Sequence, residues 1–187
     1  MSITRPNDRI LVNRLVSEKK KERVFEEMDD LPKLNVSIET MMDTEKIAIG
    51  AYSPLEGFLG QKDYQSVLDE MRLSNGSPWT IPIILAPSGD ENEQLVKSLR
   101  EGDNVALTYK ESVAMMHLEE KFELDKKELA SKVFGTTDIK HPNVDEIHTR
   151  MGGTALSGKI NVVNLSNLSN SYELTPAQSK EIFKKRG

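Results

Sequence analysis

Cysteine is absent from this chain of 187 residues. Its absence excludes disulfide bonds, thiolate metal sites and cysteine nucleophiles, and it agrees with a reducing compartment. Long apolar runs are missing too: the longest, residues 81–86, is broken by Pro82 and is far too short to span a membrane. No apolar run follows Arg5, so no signal peptide is predicted. We therefore expect a cytoplasmic protein without a membrane partner.

A surplus of basic residues is also missing. The chain has 25 Lys and Arg against 30 Asp and Glu, a formal net charge of −5. A nucleic-acid partner would require a basic face to neutralise phosphates. The one basic run, Lys19 to Lys21, is flanked by Glu18 and Glu22, which is typical of a solvated helix face. The composition therefore predicts no nucleic-acid partner.

Recognisable catalytic and metal-binding patterns are lacking. The three histidines do not have the spacing of a zinc site: His117, His141 and His148. Ser157 is not in a GxSxG elbow, and the paired carboxylates Glu119 and Glu120 are adjacent rather than facing. Neither GxxxxGK[ST] nor GxGxxG is present. We therefore predict no catalytic, cofactor-binding or metal-binding residue in this chain.

One stretch does have the form of a possible anion site. Residues 52–71, YSPLEGFLGQKDYQSVLDEM, combine a proline turn and two glycines with a predicted helix over residues 62–72. A helix N-terminus offers free backbone N–H groups to a phosphate. Only Lys62 could assist, however, whereas Glu56 would repel an anion and bulky Phe58 and Leu59 stand where bare backbone is needed. We favour a structural elbow in which the apolar residues dock the loop and the helix.

The order of predicted elements indicates the fold class. Apolar spacing predicts helices over residues 18–31, 43–49, 62–72 and 126–134, and one after His141-Pro142. Strands are predicted over residues 10–16, 36–38, 79–85, 105–109, 113–118, 121–124 and 160–165, and a polar loop over 87–94. Uneven spacing without βαβ alternation favours an α+β fold with a small barrel-like sheet and interspersed short helices.

The C-terminal region is predicted to begin a second domain. Residues 164–171, NLSNLSNS, are typical of a linker. A helix start follows, with Thr175 as N-cap, Pro176 in the first turn and Gln178 three residues after the cap. Its apolar residues are expected to be exposed or packed on a neighbouring molecule: Ala177, Ile182 and Phe183. We predict one domain over 1–168, and a linker with the first helix of a second domain over 169–187.

Several segments together resemble a known family. They are GAYSPLEGFL at 50–59, DY at 63–64, MRL at 71–73, NG at 75–76, WTIPI at 79–83, GDNVAL at 102–107 and LTPAQ at 174–178. In this series the chain resembles the N-terminal domain of ATP sulfurylase (sulfate adenylyltransferase) over nearly its whole length. The resemblance implies a PUA-like β-barrel, with the C-terminal helix opening the catalytic domain.

The resemblance also implies a parent function. Enzymes of this family are nucleotidyltransferases of sulfate assimilation, which join sulfate to the α-phosphorus of Mg-ATP and release pyrophosphate. Their chemistry belongs to the following domain, marked by a Gln-x-Arg-Asn-Pro motif and paired histidines that this sequence lacks. The chain is thus expected to be an inactive scaffold domain that binds no cofactor. Its expected partners are its own catalytic domain and further copies of the parent enzyme. The alternative is a free-standing PUA-like binding module without catalysis.

Overall fold

The computed structural model describes residues 11–165 and 173–186. The helices of this part are α1 (Glu18–Asp29), α2 (Ile38–Ala48), α3 (Gln61–Glu70), α4 (Asp90–Ser98), α5 (Lys126–Phe134), α6 (Pro142–Arg150) and α7 (Pro176–Arg186). The strands are β1 (Lys33–Asn35), β2 (Gly57–Phe58), β3 (Asn104–Tyr109), β4 (Ser112–Glu123) and β5 (Thr154–Asn164). The predicted α+β class is confirmed. The predicted boundary between residues 168 and 169 lies outside the described residues.

One mixed sheet organises the fold, with strand order β1-β3-β4-β5-β2. β1 runs parallel to β3, and the other neighbours are antiparallel. The central strands β4 and β5 are the longest, and their register shifts twice, between Val113 and Ala114 and between Leu118 and Glu120. Side chains of β4 alternate between buried and more exposed positions along most of its length, as expected when one face of a strand covers a core.

The outer edge of β5 is paired by three separate segments. Leu156 donates its N–H to the carbonyl of Leu85 over 2.7 Å, and β2 pairs with β5 further along. Val162 then donates to the Arg14 carbonyl over 2.9 Å and accepts from the N–H of Val16 over 2.8 Å. Strands were predicted over residues 10–16 and 79–85, but within the described residues each segment contributes a single isolated bridge. Three short pieces of chain together satisfy the backbone groups that a long edge strand would leave open.

The edge at β1 is satisfied by a side chain. Asn92 in α4 is 9% exposed, and its Oδ1 accepts the N–H of Asn35 over 3.1 Å. Its Nδ2 donates to the carbonyls of Asn35 at 2.7 Å and Ser88 at 2.9 Å. The sequence prediction of a loop over 87–94 was wrong, because α4 offers only the apolar pair Leu95 and Val96 to a periodicity search. Acidic residues in its first turn favour the helix electrostatically.

Most predicted helices are confirmed, and α2 begins earlier than expected. Ser37 caps it by accepting the N–H of Thr40, so Ile38 starts the helix instead of continuing a strand. Two lysines bind carbonyls at helix C-termini, where the helix dipole favours a cation. Lys121 Nζ lies 3.1 Å from the Val96 oxygen at the end of α4. Lys126 Nζ donates to the carbonyls of His148 and Met151 at the end of α6.

We predict that Asn92→Ala lowers the free energy of unfolding by about 1 to 3 kcal/mol, since it removes the three hydrogen bonds that the buried Asn92 amide makes to the backbone of Asn35 and Ser88. Gln94→Ala is the matched control, because it removes an exposed amide from the same helix. Urea denaturation followed by circular dichroism measures both changes. Equal midpoints for the two variants would contradict the role of Asn92.

Candidate functional site

The loop before α3 packs into the main core. Leu55, Phe58 and Leu59 are at most 7% exposed, and they share one buried cluster with Tyr64 and Val67 of α3. These apolar residues therefore dock both the loop and the helix, as the sequence predicted. Met71, assigned to the same face, is instead 62% exposed, because α3 ends before it in a left-handed C-cap. Burial raises the pKa of the Tyr64 phenol well above its usual range, and the nearby carboxylates of Glu128 and Asp125 add to that shift.

The N-terminus of α3 is filled by a carboxylate of the chain itself. Gln61 donates its backbone N–H to Oε2 of Glu120 over 2.9 Å. Glu120 reaches this position from β4, beside the register shift that follows Leu118. A Cβ on Gly60 would stand 2.6 Å from the same oxygen, so a larger residue there would require the Glu120 carboxylate to move. The first backbone donor of α3, which could have held a phosphate, therefore already binds an anionic group.

The remaining groups around the elbow are unfavourable to an anion. Ser157 is 6% exposed, and its hydroxyl donates to the Phe58 carbonyl over 3.1 Å, which ties β5 to β2. An open depression of about 230 Å³ beside the loop is lined by Glu56, Asp63 and Glu119 together with Lys159. Lys159 Nζ lies 3.0 Å from a Glu56 oxygen. The geometry therefore supports the structural elbow over the phosphate cradle.

One histidine lies on β4 and the other two at the start and in the last turn of α6. His117 of β4 is exposed, with Nδ1 3.0 Å from Oδ1 of Asn104. His141 precedes α6 and stacks on Phe134, with 5.2 Å between ring centroids. His148 is in α6. Within residues 11–165 and 173–186 no group of three His, Cys, Asp or Glu side chains could hold a metal ion. The expectation of no site residues remains a prediction.

A half-buried carboxylate connects α2 to the start of the elbow. Tyr52 donates its hydroxyl to Oδ1 of Asp43 over 3.1 Å. Burial raises the pKa of Asp43 above its ordinary value of 3.8, and the hydrogen bond from Tyr52 opposes that shift. The Tyr52 ring meets the edge of Trp79 with 6.1 Å between centroids and 88° between planes. Sequence spacing could not identify this pair, because no pattern distinguishes a single half-buried Asp on a helix from a solvent-exposed one.

The C-terminal helix has the predicted cap. Thr175 donates its N–H to Oε1 of Gln178 over 2.8 Å, and the hydroxyl of Thr175 accepts the N–H of Gln178 over 3.3 Å. Residues 176–186 include no buried side chain. Ala177 and Phe183 are exposed, as the sequence predicted, while Ile182 is half-buried. The helix therefore forms without contributing to the core.

Comparison with known proteins identifies the family. A model described as a PUA-like domain matches residues 4–165. The chain belongs to the PUA-like domain family. Its five-stranded sheet with short helices is the fold that the resemblance implied. No helix in the described part of this PUA-like chain is long and apolar enough to cross a membrane.

Similar proteins extend the match beyond the PUA-like domain. The sulfate adenylyltransferases of Thermococcus onnurineus and Hyperthermus butylicus are 41% and 43% identical over 187 residues. Each match covers 99% of this chain and 47% of the relative, so the chain spans about half the length of these relatives. The solved structure of a hexameric APS kinase from Thiobacillus denitrificans has a TM-score of 0.68 at 25% identity. That match covers 95% of this chain and 30% of the kinase chain.

We predict that Phe58→Ala lowers the free energy of unfolding by about 3 to 5 kcal/mol, because it leaves a cavity where the Phe58 side chain of β2 packs in the core. Lys62→Ala should change it little, since Lys62 is exposed at the start of α3. Chemical denaturation of both variants tests the elbow. A near-neutral Phe58→Ala beside a damaging Lys62→Ala would favour a binding role for the loop.

The half-buried Asp43 should make the stability of the protein depend on pH. Since the folded protein raises the pKa of Asp43, it binds that proton more tightly than the unfolded chain does. Stability from this group is present below pH 3.8 and is lost as pH rises through the folded pKa. Asp43→Asn removes this loss and keeps an acceptor for Tyr52. The variant should therefore gain stability over the parent as pH rises from about 3 to 7.

Urea denaturation across the same pH series measures that difference. Tyr52→Phe is the complementary variant. Without the hydroxyl donor the pKa of Asp43 should rise further, so the decrease in the free energy of unfolding should occur at higher pH. Parallel pH profiles for the parent and Asp43→Asn would show that Asp43 is not desolvated in solution.

Proposed function

We propose that this chain is the N-terminal scaffold part of a sulfate adenylyltransferase, whose nucleotide and sulfate sites lie in the portion of the relatives outside the match. The observation that carries the proposal is the extent of the similarity. It runs over 187 residues at about 40% identity but accounts for only 47% of each relative. A match that included only the PUA-like fold would have no reason to continue through α7.

The geometry of the elbow supports the absence of a nucleotide site in this part. The best candidate for a phosphate, the N-terminus of α3, already binds Glu120. The depression beside it presents three carboxylates and one lysine. In the proposed enzyme, ATP with its magnesium and sulfate would be bound elsewhere, and this domain would support the catalytic part. The proposed reaction gives adenosine 5′-phosphosulfate and pyrophosphate, within cytoplasmic sulfate assimilation.

The proposed division of the chain follows the same logic. Residues 1–168 form the PUA-like scaffold domain, and 169–187 form the linker and the first helix of the adenylyltransferase domain. The PUA-like match ending at residue 165 supports this boundary. The similar APS kinase from Thiobacillus denitrificans is hexameric, which supports a homo-oligomeric parent enzyme.

A second candidate is a free-standing PUA-like binding module without catalysis. It is favoured by the self-contained core, because the buried cluster draws its members entirely from the range that the PUA-like model matches. Under this alternative α7 would be an appendage with no partner domain. The two proposals differ in what the rest of a sulfate adenylyltransferase does when joined to this chain.

We predict that purified 1–187 releases no pyrophosphate from ATP and sulfate, and that it does not bind Mg-ATP with sub-millimolar affinity. The reason is that the helix end with the form of a phosphate site already binds the Glu120 carboxylate. Isothermal titration calorimetry and a coupled pyrophosphate assay test both points. The complete sulfate adenylyltransferase of Thermococcus onnurineus is the positive control. A saturable Mg-ATP isotherm for 1–187 would place a nucleotide site in this domain and overturn the proposal.

A further inference from the structure

Sulfur is present in this chain only as methionine. The sequence contains eight methionines and no cysteine. In most proteins a peroxide reacts first with a cysteine thiolate, and methionine thioethers are the next sulfur groups open to it. Because no thiolate competes here, two-electron oxidation of this chain falls on the thioethers. The exposure of each methionine then decides which of them reacts.

The methionines of the described residues differ widely in exposure. Met71 is 62% exposed and Met42 is 43% exposed. The other five within this part of the chain are half-buried or buried: Met115, Met151, Met28, Met41 and Met116. A buried thioether meets an oxidant in water only when its surroundings open, so its rate falls with the population of the open state. Met71 is therefore the thioether most accessible to a dissolved peroxide.

The position of Met71 keeps its side chain out of the local framework. Met71 is the C-cap of α3, with a left-handed backbone at a φ of 52°. Its N–H donates to the Val67 carbonyl over 3.0 Å, and its own carbonyl accepts the N–H of Trp79 over 2.9 Å. Both hydrogen bonds use the backbone alone. The end of α3 is thus joined to residues 79–85 without any contribution from the thioether.

We propose that Met71 is a redox modification site, at which a peroxide forms methionine sulfoxide ahead of the other methionines of the described residues. The sulfur lone pair attacks one peroxide oxygen, and the O–O bond breaks. The sulfur is oxidised by two electrons and keeps that oxygen, whose proton passes to the other oxygen, and this leaves as water. The inference does not depend on the proposed function, because it needs only the fold of this chain.

The fold tolerates this modification better at Met71 than in the core. A sulfoxide is polar, so at a buried position such as Met41 it would lose hydration without gaining a partner. At Met71 it stays hydrated, and the two backbone hydrogen bonds of the residue remain. An exposed sulfoxide is also within reach of a methionine sulfoxide reductase, which makes the modification reversible. Met71 thereby consumes peroxide at little cost to the structure.

Peptide mapping by mass spectrometry tests the site directly. The chain 1–187 is treated with excess hydrogen peroxide, and the sulfoxide of each methionine is followed with time. Met71 should oxidise at least about tenfold faster than Met41 and Met116, and faster than Met42. The same chain in concentrated urea is the control for intrinsic reactivity. There the rates of all methionines should agree within about twofold, because the fold no longer shields any of them.

A matched pair of variants locates the fastest reaction. Met71→Leu should remove the fastest phase of oxygen uptake, whereas Met42→Leu should keep it. A methionine sulfoxide reductase with dithiothreitol should return the oxidised Met71 peptide to its original mass. Chain oxidised at Met71 alone should unfold at the same urea concentration as the untreated chain.

Three results would overturn the inference. Oxidation of Met42 or Met115 ahead of Met71 in the folded chain would reject Met71 as the site. An equal spread of rates in urea and in buffer would show that local sequence, and not the fold, sets the order. A lower urea midpoint after oxidation at Met71 alone would show that its side chain supports the fold, and would reject a tolerated modification.

Discussion

The pairing of β4 with β5 is the interaction on which the other elements depend. These two strands provide the longest ladder in the sheet, and each is bordered by shorter pieces. β3 and then β1 extend the sheet beyond β4. On the other side of β5, Leu85, β2 and residues 14–16 each take a part of the same edge. Segments far apart in sequence thereby meet on one strand, and the position of each is set by the hydrogen-bond spacing of β5.

The register shift in β4 links this framework to the elbow. Between Leu118 and Glu120 the pairing with β5 slips, and the Glu120 carboxylate then reaches the first N–H of α3. A local irregularity of the sheet thus supplies the anion that the helix dipole favours. The same contact closes the one place where the chain had the form of a phosphate site. The helix N-terminus thus serves as a structural contact between α3 and β4.

Local patterns were enough to predict some of this structure. The i, i+3, i+4, i+7 spacing of Tyr64, Val67, Leu68 and Met71 identified α3, and the capping residues of α7 were visible in the sequence. The interpretation of residues 52–71 as a structural elbow, and not a phosphate site, also followed from Glu56, Phe58 and Leu59. The resemblance supplied the PUA-like fold, which strand spacing alone could not have distinguished from other small sheets.

The features that the sequence analysis failed to predict have a common physical cause. α4 buries only a few side chains, so its pattern was too short to separate from a loop. Residues 79–85 are extended, yet they pair through Leu85 at a single bridge, and periodicity does not report pairing. The partners of Asn92, Glu120 and Asp43 are 57, 59 and 9 residues away. Contacts of this kind are fixed by the tertiary fold, which no local spacing contains.

The amide of Asn92 has a consequence for assembly. At β1 it occupies both the N–H and the carbonyl of Asn35, the groups through which a foreign strand would begin to add to the sheet. On the far side of the sheet, the outer edge of β5 is already covered by β2 and by the isolated bridges at Leu15 and Leu85. Addition of a foreign strand is thereby hindered at Asn35 and along the outer edge of β5. Association through side-chain surfaces is therefore favoured over strand addition at these positions.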